Sequence, residues 1–118
     1  MQIIIPTLAK GEHYAGIIIT QGKPSHHLVL LPKDIKADWA KAKAWAAEQG
    51  GELPTRREQA VLFANAPDQF KPDWYWSAEQ HAASSGYAWY QYFSYGTQYY
   101  NSIDSKLRAR SVRRLIIE

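Results

Sequence analysis

The chain has 118 residues, enough for one domain and too few for two ordinary ones. It contains no cysteine, which excludes disulfides, thiolate metal sites and cysteine nucleophiles. The net charge of +3 is uneven, because Lys106, Arg108, Arg110, Arg113 and Arg114 supply +5 and leave −2 for everything else.

Read in chain order, Ile3, Ile4 and Ile5 form a short β-type run closed by Pro6. Residues 1–6 lack the basic start and long apolar stretch of a signal peptide, and no apolar run approaches a membrane span. This reading predicts a cytoplasmic protein that does not engage membranes. Residues 14–21 and 27–31 read as two strands joined by a loop at Gly22, Lys23, Pro24 and Ser25.

From Asp38 the apolar period becomes helical, through Trp39, Ala42, Trp45 and Ala46. Asp38 reads as the N-cap, and Gly50 and Gly51 as the stop. Thr55 and Glu58 match a capping box opening a second helix, whose run from Ala60 to Ala64 is expected to be buried. Four strands are predicted after Pro67, at residues 74–77, 87–94, 98–102 and 107–115. Tyr95 and Gly96 fall in a tight turn, and residues 78–86 form a polar loop. The order is a β-hairpin, two helices and an antiparallel β-meander, an α+β domain spanning residues 1–118.

Several segments, in this order, resemble a known family. Gly51-Glu52-Leu53-Pro54-Thr55-Arg56 opens a helix, followed by Trp74-Tyr75-Trp76-Ser77. Tyr87-Ala88-Trp89-Tyr90-Gln91-Tyr92-Phe93 and Arg110-Ser111-Val112-Arg113 complete the series. The chain resembles, over roughly residues 12 to 115, a bacterial and phage domain found at the C-terminus of the Legionella collagen-like adhesin. That family is related to the C-type-lectin-like fold of formylglycine-generating enzymes and of retroelement variable proteins. The resemblance implies a C-type-lectin-like fold of phage or prophage origin, acting in the host cytosol, with the first strands beside the last. It also implies a core of Trp74, Trp76, Trp89, Phe93 and Val112. Arg110 and Arg113 would be satisfied by carbonyls or by carboxylates such as Glu58 and Glu52.

The chemistries of that fold find little support in these residues. Formylglycine generation needs the cysteines the chain lacks. His13, His26, His27 and His81 show no metal-ligand spacing, and adjacent His26 and His27 would point to opposite faces of a strand. Lys71-Pro72-Asp73 places lysine where a calcium-binding lectin needs an oxygen ligand. Glu79, His81, Ser84 and Ser85 share a loop without a spacing that demands catalysis. The expectation is therefore no enzyme activity and no cofactor.

Two binding readings remain, with a third behind them. The basic run at Lys106, Arg108 and Arg114, with stacking tyrosines nearby, suits nucleic acid. Alternation along one continuous strand would put Arg113 on the opposite face from Arg108, Arg110 and Arg114. Sixteen residues are aromatic, eleven of them between Trp74 and Tyr100. That is more tyrosine than a core readily satisfies, because each buried hydroxyl needs a partner. A protein partner bound by Tyr90, Tyr92, Tyr95, Gln98, Tyr100 and Asn101, with Gln91 alongside, is the favoured reading. Tyr87 and Tyr99 would then turn inward, and alternation alone leaves open which of the two sets faces out. Calcium-independent carbohydrate binding is the third reading.

Overall fold

A computed structural model of the chain describes residues 3–118, so Met1 and Gln2 of the opening segment lie outside the described residues. Ile3, Ile4 and Ile5 form no strand, because no neighbouring strand pairs with them; Ile4 and Ile5 are 73% and 60% exposed. Strands β1 (His13–Thr20) and β2 (Lys23–Leu30) form the opening hairpin. Its turn is tighter than the expected four-residue loop. Gln21 and Gly22 both have positive φ, 51° and 76°, which a two-residue turn matched to strand twist requires. Pro24 consequently sits inside β2.

The remaining elements are β3 (Ile35–Ala37), α1 (Trp39–Glu48), α2 (Arg56–Asn65) and a 3-10 turn (Pro67–Gln69). They continue with β4 (Trp74–Gln80), β5 (Tyr87–Tyr92), β6 (Thr97–Ser102), β7 (Leu107–Ala109) and β8 (Val112–Ile116). The domain is α+β, with two helices and eight strands in two sheets among the described residues. One sheet has the order β1-β2-β8, so the first strands do lie beside the last; the other has the order β3-β7-β4-β5-β6. Neither helix is long and apolar enough to cross a membrane.

Both caps form as the sequence indicates. Asp38 accepts from the Lys41 N–H at 2.9 Å. Thr55 Oγ1 accepts from the Glu58 N–H at 3.1 Å, while Glu58 Oε1 accepts from the Thr55 N–H at 2.8 Å. The buried face of α2 differs from expectation. It consists of Glu58, Gln59 and Leu62, whereas Ala60 and Ala64 are exposed.

The expected strand over residues 107–115 is two strands in different sheets. Arg110 and Ser111 interrupt it, both buried. The Ser111 hydroxyl donates to Ala46 O at 2.9 Å, and the Arg110 guanidinium donates to Leu31 O at 2.8 Å and to Gln69 O. These distant carbonyls turn the backbone from one sheet into the other.

The five-stranded sheet separates two apolar clusters. Trp39, Ala42 and Ala46 of α1 pack with Trp76, Ala88, Tyr90, Leu107 and Ala109 on one face. On the other, Leu62 of α2 packs with Tyr75, Phe93 and the β1-β2-β8 residues Ala15, Ile18, Leu28, Leu30 and Val112. Trp76, Phe93 and Val112 are thus core, but Trp74 is 36% exposed and Trp89 half-buried. Trp74 lies at the margin of the α1 cluster, and Trp89 meets α2 at the Arg56 guanidinium. Trp76→Ala is expected to cost about 3 to 5 kcal/mol in denaturant unfolding, the range for an emptied aromatic core site. Trp74→Ala should cost clearly less; equal losses would place Trp74 in the core after all.

Candidate functional site

The β5-β6 hairpin sets the aromatic residues in rows. Its register is unbroken from Tyr87↔Ser102 to Tyr92↔Thr97. Strand alternation sends Ala88, Tyr90 and Tyr92 to the α1 face and Trp89 and Gln91 to the α2 face. On the α1 face Trp74 stacks on Tyr90 at 4.8 Å and meets Tyr92 edge-on at 6.2 Å; Tyr92 in turn meets Tyr95 at 5.4 Å. On the α2 face the Arg56 guanidinium lies 3.6 Å over the Trp89 ring, with His81 and Tyr100 beside it. Tyr99 and Tyr100 stack at 4.4 Å.

The expected tyrosine set needs correcting. Tyr90 is core, because α1 reaches across the sheet as far as this position. Tyr87 and Tyr99, expected inward, are 41% and 56% exposed, and Tyr95 is 76% exposed. Tyr99 opposes Tyr90 in the ladder but sits on the edge strand, one strand beyond the helix cover. Tyr92 and Tyr100 are half-buried within the rim. Gln98 is fully engaged: Nε2 donates to Arg56 O and to Gln91 Oε1, and Oε1 accepts from Arg56 Nε. Asn101 accepts from the Ser102 N–H at 2.8 Å.

The basic segment is dispersed by its partners. Lys106 is exposed, whereas Arg108 donates to Asp73 at 2.8 Å and lies 3.5 Å from Asp34. Arg113 pairs with Glu12 and Arg114 with Glu58 and Glu52. The expected pairing of Glu58 and Glu52 with arginine is therefore real, but its arginine is Arg114. The strand break at Arg110 and Ser111 is the reason: it places β8 against β2, beside the N-terminus of α2.

Sequence reading missed the cleft that this arrangement creates. It holds about 780 Å³ and lies between the end of the β1-β2 hairpin, the first turns of α2 and the β5-β6 hairpin. Glu58 lies within its wall, 1% exposed. Its Oε1 accepts from Thr55 N and Arg114 Nη2, and its Oε2 from Arg114 Nε at 2.7 Å and His26 Nε2 at 2.8 Å. His27, on the opposite face of β2, bonds instead to the Tyr14 hydroxyl at 2.7 Å. The opposed directions of the two histidines follow from alternation as expected. The legible signal for the cleft was Glu58 in the capping box; Arg114 and His26 are 56 and 32 residues away from it. Among the described residues no three His, Asp or Glu side chains converge on a common point. No protein-family model matches the chain, and no curated protein sequence matches it.

Burial pushes the Glu58 carboxyl upward, but Arg114, the Thr55 N–H and His26 together outweigh it and hold the carboxyl below its ordinary value. A depressed carboxyl stabilises the fold above its unfolded pKa of about 4.3, and that contribution disappears as pH falls through the folded value. Glu58→Gln should therefore lose about 2 to 3 kcal/mol at neutral pH and show a shallower loss of stability in acid. Urea titrations across this range check it. Parallel acid limbs for wild type and variant would contradict it.

Proposed function

We propose that this chain is a non-enzymatic recognition module that binds a protein partner through a tyrosine rim. The rim comprises Tyr87, Tyr92, Tyr95, Tyr99 and Tyr100, with Trp74 at its margin. The observation that carries this reading is the exposure of Tyr87, Tyr95 and Tyr99 around one hairpin. Tyrosine offers a large contact area at low side-chain entropy cost and a hydroxyl that stays satisfied in water, which is why recognition surfaces use it.

The rival readings have less behind them. Nucleic acid needs arginines free to neutralise phosphates. Here Arg108, Arg113 and Arg114 are held by carboxylates and Arg110 by carbonyls. A catalytic role for Glu58 would need a carboxylate oxygen available to substrate, yet both of its oxygens already accept two hydrogen bonds. We also place the domain with the C-type-lectin-like family of phages and prophages, in a host cytosol. The pairing of β2 with β8 supports that placement.

An affinity capture from bacterial host lysate tests the proposal, comparing wild type with Tyr87→Ala/Tyr95→Ala. Each exposed tyrosine that acts as an anchor should be worth about 2 kcal/mol, roughly thirtyfold in affinity. The expected outcome is a discrete partner on the wild type, lost from the variant, with melting temperatures unchanged. The same proteins on both, or none on either, would contradict the proposal.

A further inference from the structure

We infer that β6 is the seam of a homodimer, in which a second copy of this chain pairs with it edge to edge. The inference goes beyond the partner reading and stands without it, because it rests on backbone groups rather than on the tyrosine rim.

Sheet edges in soluble proteins are ordinarily blunted by charge, proline, bulges or shortness. The other outer strands here follow that rule. In β1, register shifts interrupt the ladder twice, and Asn65 Nδ2 occupies Ala15 O at 2.6 Å. The β8 strand carries Arg113 and Arg114 and is bridged at Val112 by Glu52. The β3 strand is three residues long, with Lys36 at its centre.

The β6 strand has none of these devices. Its sequence, Thr97-Gln98-Tyr99-Tyr100-Asn101-Ser102, contains no charge, proline or glycine, and its pairing with β5 is unbroken. From residue 97 to 101 its backbone bonds only to β5 among the described residues. Every alternate N–H and C=O on the outer side is therefore without a backbone partner among the described residues, and the stacked Tyr99 and Tyr100 rings would part to admit a strand.

The chemistry of β6 selects a copy of itself as that strand. A two-fold axis normal to the sheet keeps each face on its own side, so directly opposed residues share a face. Centred on Tyr99, antiparallel pairing sets Tyr99 against Tyr99, Thr97 against Asn101 and Gln98 against Tyr100. Every pair is uncharged and can hydrogen-bond or stack, and like-charge opposition, the usual obstacle to self-pairing, is absent. The same operation brings the Tyr95 turn of one subunit beside the Tyr87 end of the other. Each rim would then be completed across the seam.

Sedimentation velocity on the full chain, over a roughly hundredfold concentration range, tests this directly. Wild type is expected to move from the 13.5 kDa monomer to twice that mass. Thr97→Lys/Tyr99→Lys, at two exposed positions, should stay monomeric, because lysines then face each other across the seam. Its circular dichroism and its melting at the lowest concentration should match wild type. Hydrogen exchange supplies a readout free of mutation: residues 97–102 of wild type should gain protection as concentration rises. A wild type monomeric throughout the range would overturn the inference. So would a dimer that survives both lysines; loss of such a dimer in Ile4→Asp would move the contact to the exposed isoleucines at the start of the chain.

Discussion

A buried carboxylate governs how the two sheets meet. Glu58 is almost fully removed from water, a position that is tolerable only with a full set of donors. Those donors come from three places: Thr55 before α2, His26 on β2 and Arg114 on β8. The cluster therefore ties the three-stranded sheet to α2. On the same helix Gln59 Nε2 donates to Tyr75 O and Trp76 O, and Gln91 Nε2 donates to Gln59 O. The helix thus joins both sheets by polar contacts at its first turns and by Leu62 further along. Such a joint specifies position more sharply than apolar packing alone, because each misplaced donor or acceptor would be left buried and unsatisfied.

That joint decides which aromatic residues become surface. With α2 fixed over the middle of the sheet on one face and α1 on the other, α1 stops short of β6 and α2 meets it at Gln98 through Arg56. Tryptophan at 76 and tyrosines at 75 and 90 fall under cover; those at 87, 95 and 99 do not. The Tyr75 hydroxyl confirms the cost of the covered positions. It donates to Asp34 at 2.9 Å and accepts from the Lys71 N–H, and burial pushes its pKa up to about 12. Tyr87, Tyr95 and Tyr99 lie exposed, where their hydroxyls are open to solvent.

What could be read in advance was local. Asp38, Thr55 and Glu58 announce their caps within three or four residues, and the β5-β6 hairpin announces its turn at Gly96. There φ is 78°, and the Phe63 ring occupies the space a Cβ would need. The failures are non-local. Residues 107–115 look like one strand because nothing nearby says that Ala46, Leu31 and Gln69 carbonyls will capture Ser111 and Arg110. Ile3, Ile4 and Ile5 have the composition of a strand and lack the neighbour that would make them one. Alternation separates Tyr87 from Tyr90 and Tyr92 within β5. The expected sets, however, join Tyr100 to Tyr90 and Tyr99 to Tyr87, whereas the cross-strand register puts Tyr99 opposite Tyr90 and Tyr100 opposite Trp89. Assigning those sets to core and surface needed the reach of α1, which no spacing in the sequence encodes.

The central claim is that the tyrosine excess divides into a satisfied interior and an exposed rim. Nitration of the native protein by tetranitromethane, mapped by mass spectrometry over time, tests this division most directly. Tyr95 should react fastest and Tyr99 and Tyr87 next, with Tyr75 and Tyr90 protected until the protein unfolds. Reaction of Tyr75 or Tyr90 at the rate of Tyr95 in the folded protein would contradict the account.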